Sequence, residues 1–391
     1  MDASFFIAKR LRFKGRIATA CVAVSFLVMI IAVSVSSGFR HEIRSSLSSL
    51  SGDVMLTLPD RNVLDQTRPV EADPDYLPYV RELGSVEDVV PVVYRAGIVK
   101  HDDGMHGVLL KGLPGGAVSG DTTALAVSIP KRLAERASLE VGDRMLTYFI
   151  GERLNVRQFN VVSVYDAVVQ TDDRFVVYAS AADLQRLNGW TDGQVSAVEI
   201  MLKPSFRTED GIRKATQQIG TIVNVYSSPD EESVVATSSL SAYPQLFSWL
   251  DLIDFNVLFI LLLMVLVAGF NMISGLLIML FENISTIGLL KSLGMTDRSI
   301  AKVFLGSSAV MAGKGMAIGN VIALSLCLLQ GATHLLRLDP ENYYVSFVPV
   351  HIDMGLILAA DLAAFIMIML FMLIPCVFIS KVDPARTMRV K

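Results

Sequence analysis

Residues Phe255–Phe281 read FNVLFILLLMVLVAGFNMISGLLIMLF, without a single charge. About 20 consecutive apolar residues cross a bilayer as a helix, and a helix satisfies every backbone group internally, as lipid demands. Three further stretches share this character. Ile17–Val35 is uncharged, Val303–Leu336 is interrupted by Lys314 and His334, and Gly355–Ser380 by Asp361. The pattern predicts four transmembrane helices, one near the N-terminus and three in the last third. Between the first and second lie about 210 residues of ordinary globular composition.

The chain averages these two kinds of sequence. It is 52% hydrophobic and 18% charged over 391 residues, with a mean hydropathy of +0.51. A soluble chain carries about 25% charged residues. This composition excludes disorder and a disulfide-stapled secreted module. With a net charge of −4, there is no basic field for a nucleic-acid backbone.

Charge sets the expected orientation. Lys9, Arg10, Arg12, Lys14 and Arg16 precede the first span, Lys291, Arg298 and Lys302 fall between spans two and three, and Lys381, Arg386, Arg389 and Lys391 follow the fourth. The positive-inside rule makes all three segments cytoplasmic. Residues 40–250, with 20 Lys+Arg against 28 Asp+Glu, then face the other side. Ala18-Thr19-Ala20-Cys21 precedes the apolar run, whereas a lipoprotein cleavage box follows it. The first span therefore reads as a retained anchor. Cys21, Cys327 and Cys376 all fall within spans, so no disulfide framework is implied.

The expected organisation is a cytoplasmic interfacial segment (1–16), helix one (17–39), an exported domain (40–250), helix two (251–281), a cytoplasmic loop (282–302), helix three (303–330), an exported loop (331–351), helix four (352–380) and a cytoplasmic tail (381–391). Alternating strands over 86–205, with helices at 73–83, 130–138, 181–188 and 207–220, predict a large α+β domain of mixed sheets in two lobes. Ser228-Pro229-Asp230-Glu231-Glu232 reads as a helix start leading toward span two, with Pro244 kinking or interrupting that helix. A second stalk, Gly38–Leu50, prolongs span one.

The link between spans two and three keeps Ile284, Ile287, Leu290 and Leu293 at helical spacing, with Gly294 as a C-cap. A solvated turn has no need of a greasy stripe, so either a cytoplasmic partner or the lipid surface covers it. Span three holds Gly315 and Gly319 as a GxxxG step, which permits close helix approach. Lys314 and Asp361 are intramembrane charges and are expected to face the bundle. His101-Asp102-Asp103-Gly104-Met105-His106 reads as a hairpin turn rather than a metal site. The sequence has no phosphate-cradling loop, zinc motif or nucleophile elbow, so no catalytic or metal-binding residue is expected.

Val267-Ala268-Gly269-Phe270-Asn271-Met272-Ile273-Ser274 and Ile287-Gly288-Leu289-Leu290-Lys291-Ser292-Leu293-Gly294 resemble the LolC/LolE family of lipoprotein-releasing ABC transporter permeases, within the MacB/FtsX-like superfamily. Phe6–Arg10, Asp172–Val177, Leu338–Tyr344 and Lys381–Ala385 resemble further family segments in the same order.

The resemblance implies a non-catalytic membrane subunit in the bacterial inner membrane, with a MacB-like periplasmic domain. Its partners would be a cytoplasmic ABC ATPase dimer, a second permease subunit, homologous or identical, and lipoprotein substrates passed to a periplasmic chaperone. The chain itself would bind no cofactor, since ATP and magnesium belong to the ATPase. Ser285, Ile287, Leu290, Lys291, Leu293 and Gly294 would form the ATPase-coupling helix. Val24, Val28, Ile31 and Val35 of span one, with Leu250, Ile253 and Val257 of span two, would line the site that admits lipoprotein acyl chains. One departure is that Phe149–Arg157 leaves no room for the chaperone-gripping hook of LolC, so a LolE-like or homodimeric role fits better. The alternative is a related permease that exports another amphiphile or relays force to a periplasmic partner.

Overall fold

The computed structural model describes residues 16–59, 68–101, 104–116, 124–149, 155–167, 175–229, 231–339 and 343–376. The expected interfacial segment ahead of Arg16, the tail beyond Cys376, Asp102, Asp103 and residues 150–154 of the shortened hairpin lie outside this set.

The chain begins with helix α1 (Arg16–Ser51), strands β1 (Val54–Thr57) and β2 (Val70–Glu71), helix α2 (Leu77–Arg81), and strands β3 (Val86–His101), β4 (Gly104–Leu113) and β5 (Ala126–Pro130). Next come helix α3 (Lys131–Arg136), strands β6 (Arg144–Phe149), β7 (Asn155–Tyr165) and β8 (Phe175–Ser180), helix α4 (Ala181–Asn188), and strands β9 (Gln194–Val195) and β10 (Ala197–Leu202). Helix α5 (Glu209–Tyr226) and strand β11 (Val235–Ser238) follow, then helices α6 (Ser239–Ala242), α7 (Pro244–Glu282), α8 (Ile284–Ser292), α9 (Asp297–Thr333), α10 (Met354–Phe371) and α11 (Leu373–Cys376). The chain divides into two compact units, one of Glu42–Ser248 with Leu338–Ser346 and the other of the remaining residues.

The first unit is α+β. Nine strands form one sheet in the order β11-β1-β10-β3-β4-β8-β5-β7-β6, and β6 also pairs with β3. That extra pairing (Ile98↔Tyr148, Val99↔Thr147) closes six strands into a barrel and so removes an exposed sheet edge. Gly97 permits the closure, because a Cβ there would stand 2.8 Å from Thr147 Cγ2. Strand β3 belongs to both parts of the domain. Its first half pairs with β10 and its second with β4, so the two expected lobes share one strand. Parallel pairings β4–β8 and β5–β7 make the sheet mixed. Val99, Leu110, Phe149, Phe159 and Val177 are among the fully buried residues of its core.

Helix α5 buries Ile212, Ala215, Ile219 and Val223 at helical spacing, and its N-cap Thr208 accepts a hydrogen bond from Gly211 N–H. One expectation fails beyond it. No helix starts at Ser228, because the β-branched run at Val235 instead pairs with β1 as a strand. Of the two outcomes expected at Pro244, the interruption is found: α6 ends at Ala242 and Pro244 is the first residue of α7, where its missing N–H costs nothing.

The second unit contains four helices long and apolar enough to cross a membrane, within α1, α7, α9 and α10–α11. At 36 residues and ~1.5 Å per residue, α1 is far longer than the ~30 Å hydrocarbon layer. Val22 and Phe26 of α1, Met272 and Leu276 of α7, Phe304 of α9 and Ile368 of α10 meet in one core. The GxxxG step lies in a helix crossing, since Cβ atoms on Gly315 and Gly319 would stand 2.8 Å from Val22 Cγ1 and 2.4 Å from the Ala23 carbonyl oxygen.

Candidate functional site

Helix α8 is held by its inward face. Ile287 and Gly288 are buried, and Leu290 packs half-buried against the same helix core as Ile287. Lys291 Nζ lies 2.8 Å from Asp297 Oδ1, which ties the helix to the first turn of α9. Gly294 follows with φ +88°, a left-handed conformation that favours glycine. The exposed face carries Ser285, Leu289, Ser292, Leu293 and Gly294. Leu289 and Leu293 are 54% and 75% exposed. Of the six residues expected in coupling, Ser285, Leu293 and Gly294 face outward, Ile287 and Leu290 turn into the bundle, and Lys291 is ion-paired. Leu289 was not among those six, although its spacing of four from both Ser285 and Leu293 marks this face.

The second region lies where α1 and α7 meet. Arg40 ion-pairs with Asp254 and lies 3.5 Å from Asp251. Ser36 donates to Asp254, and Phe39 meets Trp249 edge-on at 5.6 Å. Gly38 admits the Pro349 carbonyl, which would stand 2.3 Å from a Cβ, and His351 N–H donates to Ser34 O. His41 and His351 stack at 4.4 Å. Of the residues expected to admit acyl chains, Val24 is exposed, Val28, Ile31, Val35, Ile253 and Val257 are half-buried, and Leu250 is buried. The open apolar stripe on α7 is instead Leu252, Phe255, Phe259 and Leu262, each more than half exposed. An all-round apolar helix gives no periodic signal to separate such a face from a packed one.

The two charges expected within the spans differ in their surroundings. Asp361 is buried and accepts a hydrogen bond from Asn320 Nδ2 of α9. Lys314 is exposed, and among the described residues no ion pair joins it to Asp361. Asn320 was not singled out from sequence, because an amide in a helix leaves no charge signature. Among the described residues no cluster of three or more His, Cys, Asp or Glu could hold a metal.

The pattern of the family described as FtsX-like permease C-terminal matches residues 258–384. The protein named lipoprotein-releasing system transmembrane protein LolC from Xylella fastidiosa (strain 9a5c) is 22% identical, over 94% of this chain and 92% of its own length. The LolE protein of the corresponding system from Haemophilus influenzae is 20% identical, over 94% of this chain and 92% of its own length. Among solved structures, the periplasmic region of MacB from Actinobacillus actinomycetemcomitans covers 50% of this chain and 92% of itself, at 10% identity and a TM-score of 0.32. The chain is thus similar to LolC and LolE proteins along nearly its whole length.

Proposed function

We propose that this relative of LolC and LolE is a permease subunit of an ABC transporter that extracts lipoproteins from the bacterial inner membrane for delivery to the outer membrane. The observation that carries this reading is similarity over about 94% of the chain to proteins of lipoprotein-releasing systems. Helix α8 seats in a separate ATPase through Leu289 and Leu293, with Lys291–Asp297 and Ile287 fixing the helix beneath them. The ATPase binds ATP and magnesium, and this chain performs no chemistry. A second permease subunit, identical or homologous, completes the transporter.

The work done by this chain is mechanical. Span one and span two are continuous helices that extend beyond the charge-free segments, and they relay ATPase closure to the exported α+β domain. Acyl chains approach from the outer leaflet along the apolar stripe Leu252–Leu262 and the half-buried valines and isoleucines of α1. The Arg40–Asp254 pair and the Phe39–Trp249 contact hold α1 against α7 until cargo parts them. A periplasmic chaperone then receives the lipoprotein.

Depletion of the protein in its native cell tests the substrate. Outer-membrane lipoproteins should accumulate in the inner membrane fraction. Normal sorting after depletion would overturn the lipoprotein assignment.

A further inference from the structure

A lysine and a glutamate lie in the interior of the α+β unit. Lys111 of β4 and Glu199 of β10 have side chains 2% and 0% exposed, with Nζ 2.7 Å from Oε2. Tyr94 of β3, directly opposite Lys111 in the ladder, donates its hydroxyl to Glu199 Oε1. Burying such a pair gains little over apolar side chains of the same volume. This pair has another contact that apolar side chains could not make. Lys111 Nζ also donates to the carbonyl oxygen of Leu50, at 2.7 Å.

Leu50 belongs to the last turn of α1, whose final carbonyls have no partner within the helix. A cation at this end also meets the negative pole of the helix dipole. The residues that follow are fastened too. Gly52, at φ +66°, leaves 3.1 Å between a Cβ and Glu199 Cβ, so α1 ends directly against β10. Asp53 N–H donates to Ile200 O. Its carboxylate accepts from Leu202 N–H at 2.8 Å and lies 3.3 Å from Arg207 Nε. Nearly two turns before Leu50, Arg44 ion-pairs with Glu209 at the start of α5.

We infer that Lys111 is a positioning residue that fastens the end of α1 to the sheet, so that displacement of this helix is carried into β4 and β10 and not lost at the joint. The charge pair is the means by which an ammonium is held inside the sheet, and the Leu50 carbonyl is its purpose. In its transport consequence the inference rests on the lipoprotein-release reading; in its structural content it does not.

The test uses the full chain in lipid nanodiscs. Removing Lys111 alone would leave the buried Glu199 carboxylate without the Lys111 ammonium, so the informative variant is K111M/E199Q, which removes both charges and keeps the volume. Amide hydrogen exchange over residues 46–53 should quicken about ten-fold or more, the equivalent of losing a charged hydrogen bond, while β4 and β8 keep their protection. K111R, which retains a donor, should restore most of the protection at 46–53. Unchanged exchange at 46–53 would overturn the inference. So would equal acceleration in all strands, which would make the pair an ordinary core element. In the complex reconstituted with its ATPase, the double variant should hydrolyse ATP yet lose lipoprotein release. Normal release despite a loosened helix end would leave the joint standing and sink the reading that force travels through α1.

Discussion

Gly319 lies so close to Ala23 that a Cβ placed on it would stand 2.4 Å from the Ala23 carbonyl oxygen. Two backbones touch where span three crosses span one, and no side chain fits between them. Gly319→Val should therefore cost ~1–3 kcal/mol or more in overpacking and lower the thermal midpoint in detergent. Gly306→Ala, with nothing within 4 Å, should leave it unchanged. Equal midpoints for the two variants would show that the crossing does not matter.

Helix α8 exposes Leu289 and Leu293 and buries Ile287. Leu289→Asp and Leu293→Asp should each abolish co-purification of the ATPase while leaving the folded yield intact. Ile287→Asp buries a charge in the helix core and should reduce the yield itself. Retained co-purification in both exposed-face variants would remove α8 from the coupling role.

Asp361 and Lys314 should respond oppositely to neutralisation. Asp361→Ala leaves the Asn320 amide without its partner and should cost ~1–3 kcal/mol. Lys314→Gln touches an exposed position and should stay within about 0.5 kcal/mol. Thermal midpoints of the two variants in one detergent decide the matter. A larger loss from Lys314→Gln would mean that the lysine has a partner in the assembled transporter.

The contact of α1 with α7 can be locked. Ser36→Cys with Asp254→Cys places two thiols where a hydroxyl now bonds a carboxylate. Oxidation should stop lipoprotein release, and reduction should restore it. Release by the fully cross-linked protein would show that α1 and α7 need not part.

The α+β unit should lose stability in alkali. Burial, with a smaller contribution from the Glu199 charge, pushes the Tyr178 hydroxyl up to about 12 from an unfolded value of 10.0. Between those values the unfolded chain gives up a proton that the folded domain keeps. Tyr178 therefore contributes its full stability below pH 10.0, and this is lost as the pH rises through about 12. Tyr76 and Tyr165 are raised as well, chiefly by burial. Tyrosinate absorbance should consequently appear together with unfolding, and Tyr178→Phe should flatten the pH dependence. Independent titration of Tyr178 in the folded protein would contradict its burial.

The four apolar helices and the strand character of the region between the first and second were legible locally, because lipid tolerates only long uncharged runs and a half-buried sheet alternates. Ala181–Asn188 was legible to the residue, ended by Gly189 in the left-handed conformation. The rest depended on contacts that no local pattern specifies. Barrel closure of β6 onto β3, the turning of Ile287 and Leu290 into the bundle, and the choice of Asn320 over Lys314 as the partner of Asp361 all join residues distant in sequence. Their local pattern was compatible with several answers. Pro244 shows the same limit in one residue: proline forbids a helix interior, but only the fold of the strand before it reveals that the helix begins there. Lys111 shows it most fully. In the sequence it is one polar residue in an alternating strand, and its partners, Leu50 and Glu199, are 61 and 88 residues away. No periodicity reaches that far.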